Sequence, residues 1–283
     1  MDALLEKDRM KIVITGTSTG IGRALAEHLL SQGHEILGLA RSDQTDFEKQ
    51  HRGKFRAARC DVAQWSELKK IADQLAWASA DALITCAGVQ GEIGLAVDVD
   101  PEKWSSTVRS NLDGTYFAIR AFYAALSKNP NRTKVISFSG GGATKSRPNF
   151  SAYGVAKCGV VRLIETLADE LRDLPIDFTA VAPGAINTRL TDEVIARGPE
   201  VSGKSEYEAA VKQKSSGGFP ISKVLGLIDW LLSAKSDRLS GRLISAPWDP
   251  WLHLNAERIA ALNKTDVYML RRIVAEERGL KLE

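Results

Sequence analysis

Residues 11–25 read KIVITGTSTGIGRAL, and this run decides the fold. KIVIT is short, apolar and rich in β-branched residues, as a strand covered on both faces would be. Gly16, Gly20 and Gly22 follow, and IGRALAEHLLSQG then carries apolar residues at helical spacing. A strand that turns through glycines into a helix is a βα unit. Glycines let the backbone approach a phosphate closely, and free amides at the helix N-terminus hold it. The spacing departs from the G-x-G-x-x-G dinucleotide fingerprint, but the physical logic is the same. Thr17, Ser18 and Thr19 add hydroxyl donors next to Ile21. Taken alone, the turn is also compatible with a purely structural loop.

Outward from this unit the pattern repeats. EILGLA (35–40), FRAARCDV (55–62), DALITCAG (81–88), KVISFS (134–139) and IDFTAVAPG (176–184) read as strands. Helical patterns separate most of them, in QWSELKKIADQLAW, WSSTVRSNLDGTYFAIRAFYAAL and SAYGVAKCGVVRLIETLADEL. Strands alternating with helices predict an α/β fold, a Rossmann-like doubly wound parallel sheet in three layers. No linker, repeat or shift of composition divides the chain. The reading is one domain over 10–247, followed by a C-terminal helical extension over 248–283.

Composition bounds the function. In 283 residues, 38 basic against 35 acidic side chains leave a net charge of +3, too slight to argue for a nucleic-acid partner. No stretch approaches 18 consecutive apolar residues, so no membrane association is expected. Cys60, Cys86 and Cys158 lie far apart without metal-ligand spacing, which predicts free thiols and no metal. The charged start MDALLEKDRM lacks the apolar run of a leader, so the expected location is cytoplasmic.

Tyr153 and Lys157 stand four apart on one face of a predicted helix. A free Tyr titrates near 10, so acid–base work near neutrality needs about 3 units of depression, on the order of 4 kcal/mol. A neighbouring ammonium supplies the right sign. A lone YxxxK is commonplace, but this one follows a strand and accompanies a glycine turn.

T-G-x-x-x-G-I-G at 15–22, Asp61, C-A-G at 86–88, Asn111, Y-x-x-x-K at 153–157 and P-G-x-x-x-T at 183–188 occur in that order. The set resembles the short-chain dehydrogenase/reductase family, in its single-domain branch, over residues 10–246. The resemblance implies a nicotinamide cofactor and an oxidoreductase acting on a small-molecule substrate. It implies that Asp61 and Val62 lie around the adenine and Ala87 and Gly88 near its ribose. Pro183, Gly184, Ile186 and Thr188 would border the nicotinamide, and Tyr153 and Lys157 would complete the cofactor site. Cys86 stands where the family has an Asn that braces the central sheet, which predicts a local packing change. Homodimers or homotetramers are implied, paired through the helices at 112–127 and 151–173.

At the end of the second strand a carboxylate would repel a 2′-phosphate. This chain has Ala40 and Arg41 there, and a guanidinium can fork onto phosphate oxygens. NADP(H) is therefore expected in preference to NAD(H), with Asp43 as the nearby counter-indication.

The family's substrate-binding Ser sits 13 residues before the Tyr, a position that is Gly140 here, with Ser139 one residue earlier. A one-residue offset in a strand turns a side chain to the other face. A bulge or a positive-φ turn in Gly140–Gly142 would recover Ser139 as the donor. Otherwise Gly140 occupies the slot and Tyr153 acts without a serine. The expected catalytic set is Tyr153, Lys157, Ser139 and Asn111, the last by resemblance supporting a relay water. Two alternatives remain beside the oxidoreductase: a cofactor-binding regulator or scaffold, favoured by Gly140, and a nucleotide-sugar epimerase. The polar segment 188–219 is where the family places its substrate lid, and it hints at a hydrophilic substrate. In the tail, Trp248 and Trp251 are expected to be buried. DVYMLRRIVAEERG is expected to be helical with Val267, Leu270 and Val274 on one face, over the active-site mouth or a neighbouring subunit, or as a simple cap.

Overall fold

The computed structural model describes residues 9–280. The charged first eight residues and the last three of the C-terminal extension lie outside the described residues. Seven strands, β1 (Lys11–Thr15), β2 (Glu35–Ala40), β3 (Phe55–Arg59), β4 (Ala82–Thr85), β5 (Thr133–Phe138), β6 (Ile176–Ala182) and β7 (Arg242–Ser245), form one parallel sheet. Their order is β3-β2-β1-β4-β5-β6-β7. The chain winds outward from β1 to β3, then returns to β4 on the other side of β1. The strand ends on either side of that reversal open a crevice, the usual place for a ligand in such sheets.

Helices α1 (Gly20–Ser31), α2 (Thr45–Gln50), α3 (Trp65–Asp73), α4 (Pro101–Val108), α5 (Gly114–Ser127) and α6 (Ser151–Glu170) follow the first five strands. Beyond β6 come α7 (Arg189–Ser202), α8 (Lys204–Ser216) and α9 (Ile221–Leu232), and α10 (Ala256–Leu262) follows β7. The layering explains why the strands are apolar throughout. Ile12 and Ile14 pack into a core with Leu25 and Leu29 of α1 and Leu227 and Ile228 of α9. Val13, between them, faces the opposite core with Leu68 of α3, Phe122 of α5 and Ile164 of α6. A strand alternates faces, and here both are dry.

Local signals set the element ends. Asp100 caps α4 by accepting from the amides of Glu102 and Lys103, with Pro101 in the first turn. One continuous helical pattern is expected over 104–126, but a π-turn at Arg109–Asp113 divides it and turns Asn111 inward. The polar segment 188–219 folds as α7 and α8, while α2 and α9 carry no motif that singled them out.

The tail departs from expectation in two respects. Residues 266–275 contain no helix, and the one helical feature of DVYMLRRIVAEERG (266–279) is the single turn Glu276–Arg278. Val267 and Val274 are exposed, so no common apolar face is buried to stabilise a helix. Body groups anchor the backbone instead. The Leu243 amide of the edge strand β7 donates to Tyr268 O at 2.9 Å, and the Leu270 amide donates to Glu165 Oε1 at 2.6 Å. Arg162 also donates to Leu270 O, and Arg242 to the carbonyls of Leu262 and Thr265. The two tryptophans also part company. Trp251 is 7% exposed, lies 6.1 Å from the Trp230 ring and donates from Nε1 to Ala246 O, whereas Trp248 is 84% exposed.

Trp251→Ala should therefore cost about 3–5 kcal/mol in urea unfolding, as for other buried large side chains. Trp248→Ala should stay within about 0.5 kcal/mol, and the two midpoints measured side by side check the assignment.

Candidate active site

The glycine turn is built by close approach. A Cβ on Gly22 would lie 2.3 Å from Gly16 O, and one on Gly16 would lie 2.8 Å from Ala87 Cα. The start of α1 thus presses on the end of β1, and β1 on the loop after β4. Thr15 ties the same corner, its hydroxyl accepting from the amides of Cys86 and Ala87 at 3.1 and 3.0 Å. That pair of bonds braces the position where the family has Asn. Burial pushes the Cys86 thiol up to about 12, so the side chain packs as a neutral group.

A cleft of about 220 Å³ opens over this corner. Gly16, Ser18, Thr19, Gly20, Ile21 and Gly22 line its floor, with Arg41 at one end and Tyr153 and Lys157 at the other. Asp61, Val62, Ala87, Gly88, Asn111, Ser139, Pro183 and Thr188 complete it. Thr17 does not belong to it. Its side chain is fully buried, and a Cβ on Gly38 would meet its hydroxyl at 2.7 Å, so it packs inward instead of adding a donor. Gly184 and Ile186 line the neighbouring cavity and not the cleft. Asp43 is committed elsewhere: its carboxylate accepts from the Thr45 hydroxyl and amide at 2.6 and 2.9 Å, which lowers its pKa.

The cleft fits a nicotinamide dinucleotide on observations internal to the chain. The α1 N-terminus has no side-chain cap and no acidic residue in its first turn, so it offers an anion an uncapped, electropositive helix end. No Cβ blocks the approach at Gly16 and Gly22, and the lining runs unbroken from Arg41 to Tyr153.

Tyr153 and Lys157 are both buried on α6, facing the sheet. Lys157 Nζ donates to Phe138 O at 2.9 Å and lies 5.7 Å from the centre of the Tyr153 ring. Burial lowers the Lys157 pKa to about 8 and pushes the Tyr153 phenol up to about 12, against the downward pull of Arg147. Desolvation therefore outweighs the Arg147 guanidinium at the phenol. Asn111 is buried, and its amide donates to Val89 O and Thr107 O at 3.0 and 2.9 Å while accepting from the Val89 amide. Both of its N–H groups are thus spent, one on the loop after β4 and one on the last turn of α4.

The serine slot has a defined geometry. A Cβ built on Gly140 would stand 2.3 Å from the Tyr153 hydroxyl, so Gly140 is the residue that faces the phenol. The positive φ of the glycine run falls at Gly142, beyond the slot. Ser139 remains on the sheet ladder, its amide donating to Val181 O at 2.8 Å. Its side chain still borders both the cleft and the adjoining cavity, and its Oγ is buried without a hydrogen-bond partner in the protein. Ser139 reaches the site without a bulge, beside the phenol instead of opposite it.

The adjoining cavity, about 1000 Å³, is large enough for a small molecule. Tyr153, Ser139 and Gly140 form its floor, the lid helices supply Val194, Glu206 and Gln213, and the tail supplies Trp248, Tyr268 and Leu270. Sequence reasoning missed Gln90, Arg147 and Glu206 in its wall, because no motif marks them. Among the described residues no helix is long and apolar enough to cross a membrane.

The family profile described as short chain dehydrogenase matches residues 10–197. The chain belongs to the short-chain dehydrogenase/reductase family, and it is an oxidoreductase of that class. It is 26% identical over 257 residues to the short chain dehydrogenase tazN of Aspergillus terreus, covering 87% of this chain and 54% of that one. The chain thus spans about half the length of that relative. It is 27% identical to the NADP-dependent mannitol dehydrogenase of Alternaria alternata, covering 65% of this chain and 73% of that one. The structure of a point variant of actinorhodin polyketide ketoreductase with NADPH superposes with a TM-score of 0.74 at 20% identity, covering 84% of this chain and 95% of that one.

A side chain at position 140 collides with the phenol, so Gly140→Ser should displace Tyr153 and lower turnover by about 10²-fold, the usual cost of a 1 Å misplacement. Cofactor affinity, read by fluorescence titration, should change little. Gly140→Ser with undiminished turnover would show that the phenol tolerates an added Cβ.

Proposed function

We propose that this protein is an NADP(H)-dependent oxidoreductase that interconverts a carbonyl and a secondary alcohol on a polar small molecule. The single observation carrying the reading is that Tyr153, Lys157 and the glycine turn line one cleft whose inner end opens into a substrate-sized cavity. Bound nicotinamide supplies or accepts the hydride. In the reduction direction the Tyr153 hydroxyl gives its proton to the substrate oxygen, and in oxidation the phenolate takes it back. Lys157, fastened to Phe138 O, brings positive charge beside the phenol and favours its ionised form. The orphaned hydroxyl of Ser139 donates to the substrate oxygen, which would satisfy an otherwise unpaired buried group. Asn111 holds the loop at Val89 in register with Tyr153, and the family's relay water is assigned to its neighbourhood.

NADP(H) preference rests on Arg41 at the adenosine end of the cleft and on the diversion of Asp43 to Thr45. The NADP-dependent relative and the NADPH-bound neighbour point the same way. The polar lid and the lining by Gln90, Gln213 and Ser245 favour a hydrophilic substrate. Tyr268 and Leu270 in the same wall make the tail part of substrate closure. We place the protein in the cytoplasm as a homo-oligomer, paired through α5 and α6, whose outer faces expose Tyr116 and Val155.

One observation favours a second reading. Gly140 opposite the phenol removes the usual donor, and a lost oxyanion donor costs about 10²–10³ in rate. A cofactor-binding regulator without turnover would look the same in the cleft.

Incubation with NADPH and a panel of carbonyl compounds, followed at the nicotinamide absorbance, separates the two. Turnover is expected, and Tyr153→Phe should abolish it. The regulator reading predicts NADPH binding with no turnover on any member. NADPH should bind more tightly than NADH, and Arg41→Ala should erode that preference by about 1–3 kcal/mol. Equal affinities in the unaltered protein would remove the cofactor assignment. The pH dependence has a definite sign as well. Burial raises the Tyr153 phenol, so reduction should stay flat through neutral pH and fall only in the alkaline range. Oxidation, which needs the phenolate, should climb with pH.

A further inference from the structure

Arg147 lines the substrate cavity, and the proton transfer proposed at Tyr153 gives it no part as donor or acceptor. Arg147 lies in the loop between β5 and α6, with its guanidinium carbon 3.8 Å from the centre of the Phe150 ring and 6.0 Å from that of Tyr153. Phe150 is fully buried and belongs to a small cluster with Ile93, Val194 of α7 and Ala210 of α8. Stacking on a locked ring holds the guanidinium plane in one orientation. The side chain is only 19% exposed.

An arginine cannot shed its charge, so a mostly buried one must be given an anion. The fold supplies it from the lid. Arg147 Nε and Nη2 donate to one carboxylate oxygen, Glu206 Oε2, at 2.9 and 2.8 Å. Glu206 sits on α8 and is more exposed than its partner, 34% against 19%, so it can turn to solvent at small cost. The wall of the active-site cavity therefore contains a position already shaped for a carboxylate, filled by a residue of the covering segment. Donors surround it. The Gln90 Nε2, Ser139 Oγ and Ser245 Oγ atoms are buried without protein partners, and Lys145 adds a second cation. Apart from Glu206, the acidic residue lining the cavity is Asp249, whose carboxylate accepts from the Ser245 amide at 2.7 Å.

We propose that Arg147 is the specificity-determining residue of this cavity, and that the carbonyl substrate carries a carboxylate that takes the place of Glu206 on its guanidinium. The substrate class is an oxo acid and its product the corresponding hydroxy acid. Exchange of one carboxylate for another leaves the arginine paired throughout, so substrate entry carries no cost for an unpaired buried charge. It also couples acid recognition to release of a lid contact. The inference rests on the oxidoreductase reading for what the ligand becomes, but not for what the cavity binds.

Binding is tested first, without cofactor, by calorimetric titration with butanoate and its uncharged counterpart butanamide. Butanoate should bind at least about tenfold more tightly, the scale of one charge-assisted pair. Arg147→Met should erase the difference, Arg147→Lys should retain part of it, and Glu206→Gln should strengthen butanoate binding by removing its competitor. The last variant keeps the inference testable should Arg147→Met fail to fold. Equal binding of acid and amide, or a preference untouched in Arg147→Met and Glu206→Gln, would overturn it. Kinetics then compare oxo acids of two to five carbons beyond the carboxylate with their amides. Comparing each acid with its own amide cancels any effect of Arg147 on Tyr153. A kcat/KM ratio favouring the acid, and collapsing in Arg147→Met, is expected; a ratio near one would overturn the inference. Carboxylate binding without any turnover would instead count against the oxidoreductase reading and leave the carboxylate site standing.

Discussion

The corner where β1, α1 and the loop after β4 meet is the constraint on which the rest depends. At that corner a Cβ on Gly22 or Gly16 would overlap neighbouring backbone at 2.3 and 2.8 Å. The close approach gives the helix N-terminus its position at the reversal of strand order. The amides of Cys86 and Ala87, both held by Thr15, lock the β4 loop to it. From that corner the cleft extends to Arg41 in one direction and to Tyr153 in the other. A dinucleotide site in such a sheet is a consequence of chain reversal, and the glycines allow the backbone to use it.

Burial governs the chemistry at the inner end. Tyr153 and Lys157 face the sheet, and desolvation moves both toward their neutral forms, the phenol up to about 12 and the ammonium down to about 8. Arg147 pulls the phenol downward, but burial prevails. Gly140 completes the arrangement by leaving space for the phenol hydroxyl. The absence of a side chain there is thus a packing requirement, and Ser139 borders the cavity from the neighbouring position.

Distant segments close the substrate side. The lid docks through an apolar cluster around Phe150 and through ion pairs of Glu206 with Arg147 and of Arg197 with Glu92. The tail meets the edge of β7 through one backbone bond, from the Leu243 amide to Tyr268 O, and carries Tyr268 and Leu270 into the cavity wall. Trp251 is the hydrophobic anchor that makes this path possible, packed against Trp230 of α9.

Local sequence determined much of this protein. Apolar runs of strand length, glycines at 16, 20 and 22, and the Tyr153–Lys157 spacing identify the α/β sheet, the cleft and the buried Tyr–Lys pair at its inner end, because each depends on neighbours a few residues away. Tertiary structure decided what depends on distant partners. Thr17 faces the core because Gly38 of β2 leaves room for its hydroxyl. Residues 266–275 are not helical: β7, Glu165 and Arg162 hold the backbone at Tyr268 and Leu270, and Val267 and Val274 are left exposed. Arg147 acquires its anion from Glu206, 59 residues further along the chain. No periodicity or motif reports such a pairing, since the charge of a side chain is written in the sequence but the partner it meets is set only when the lid folds over the cavity.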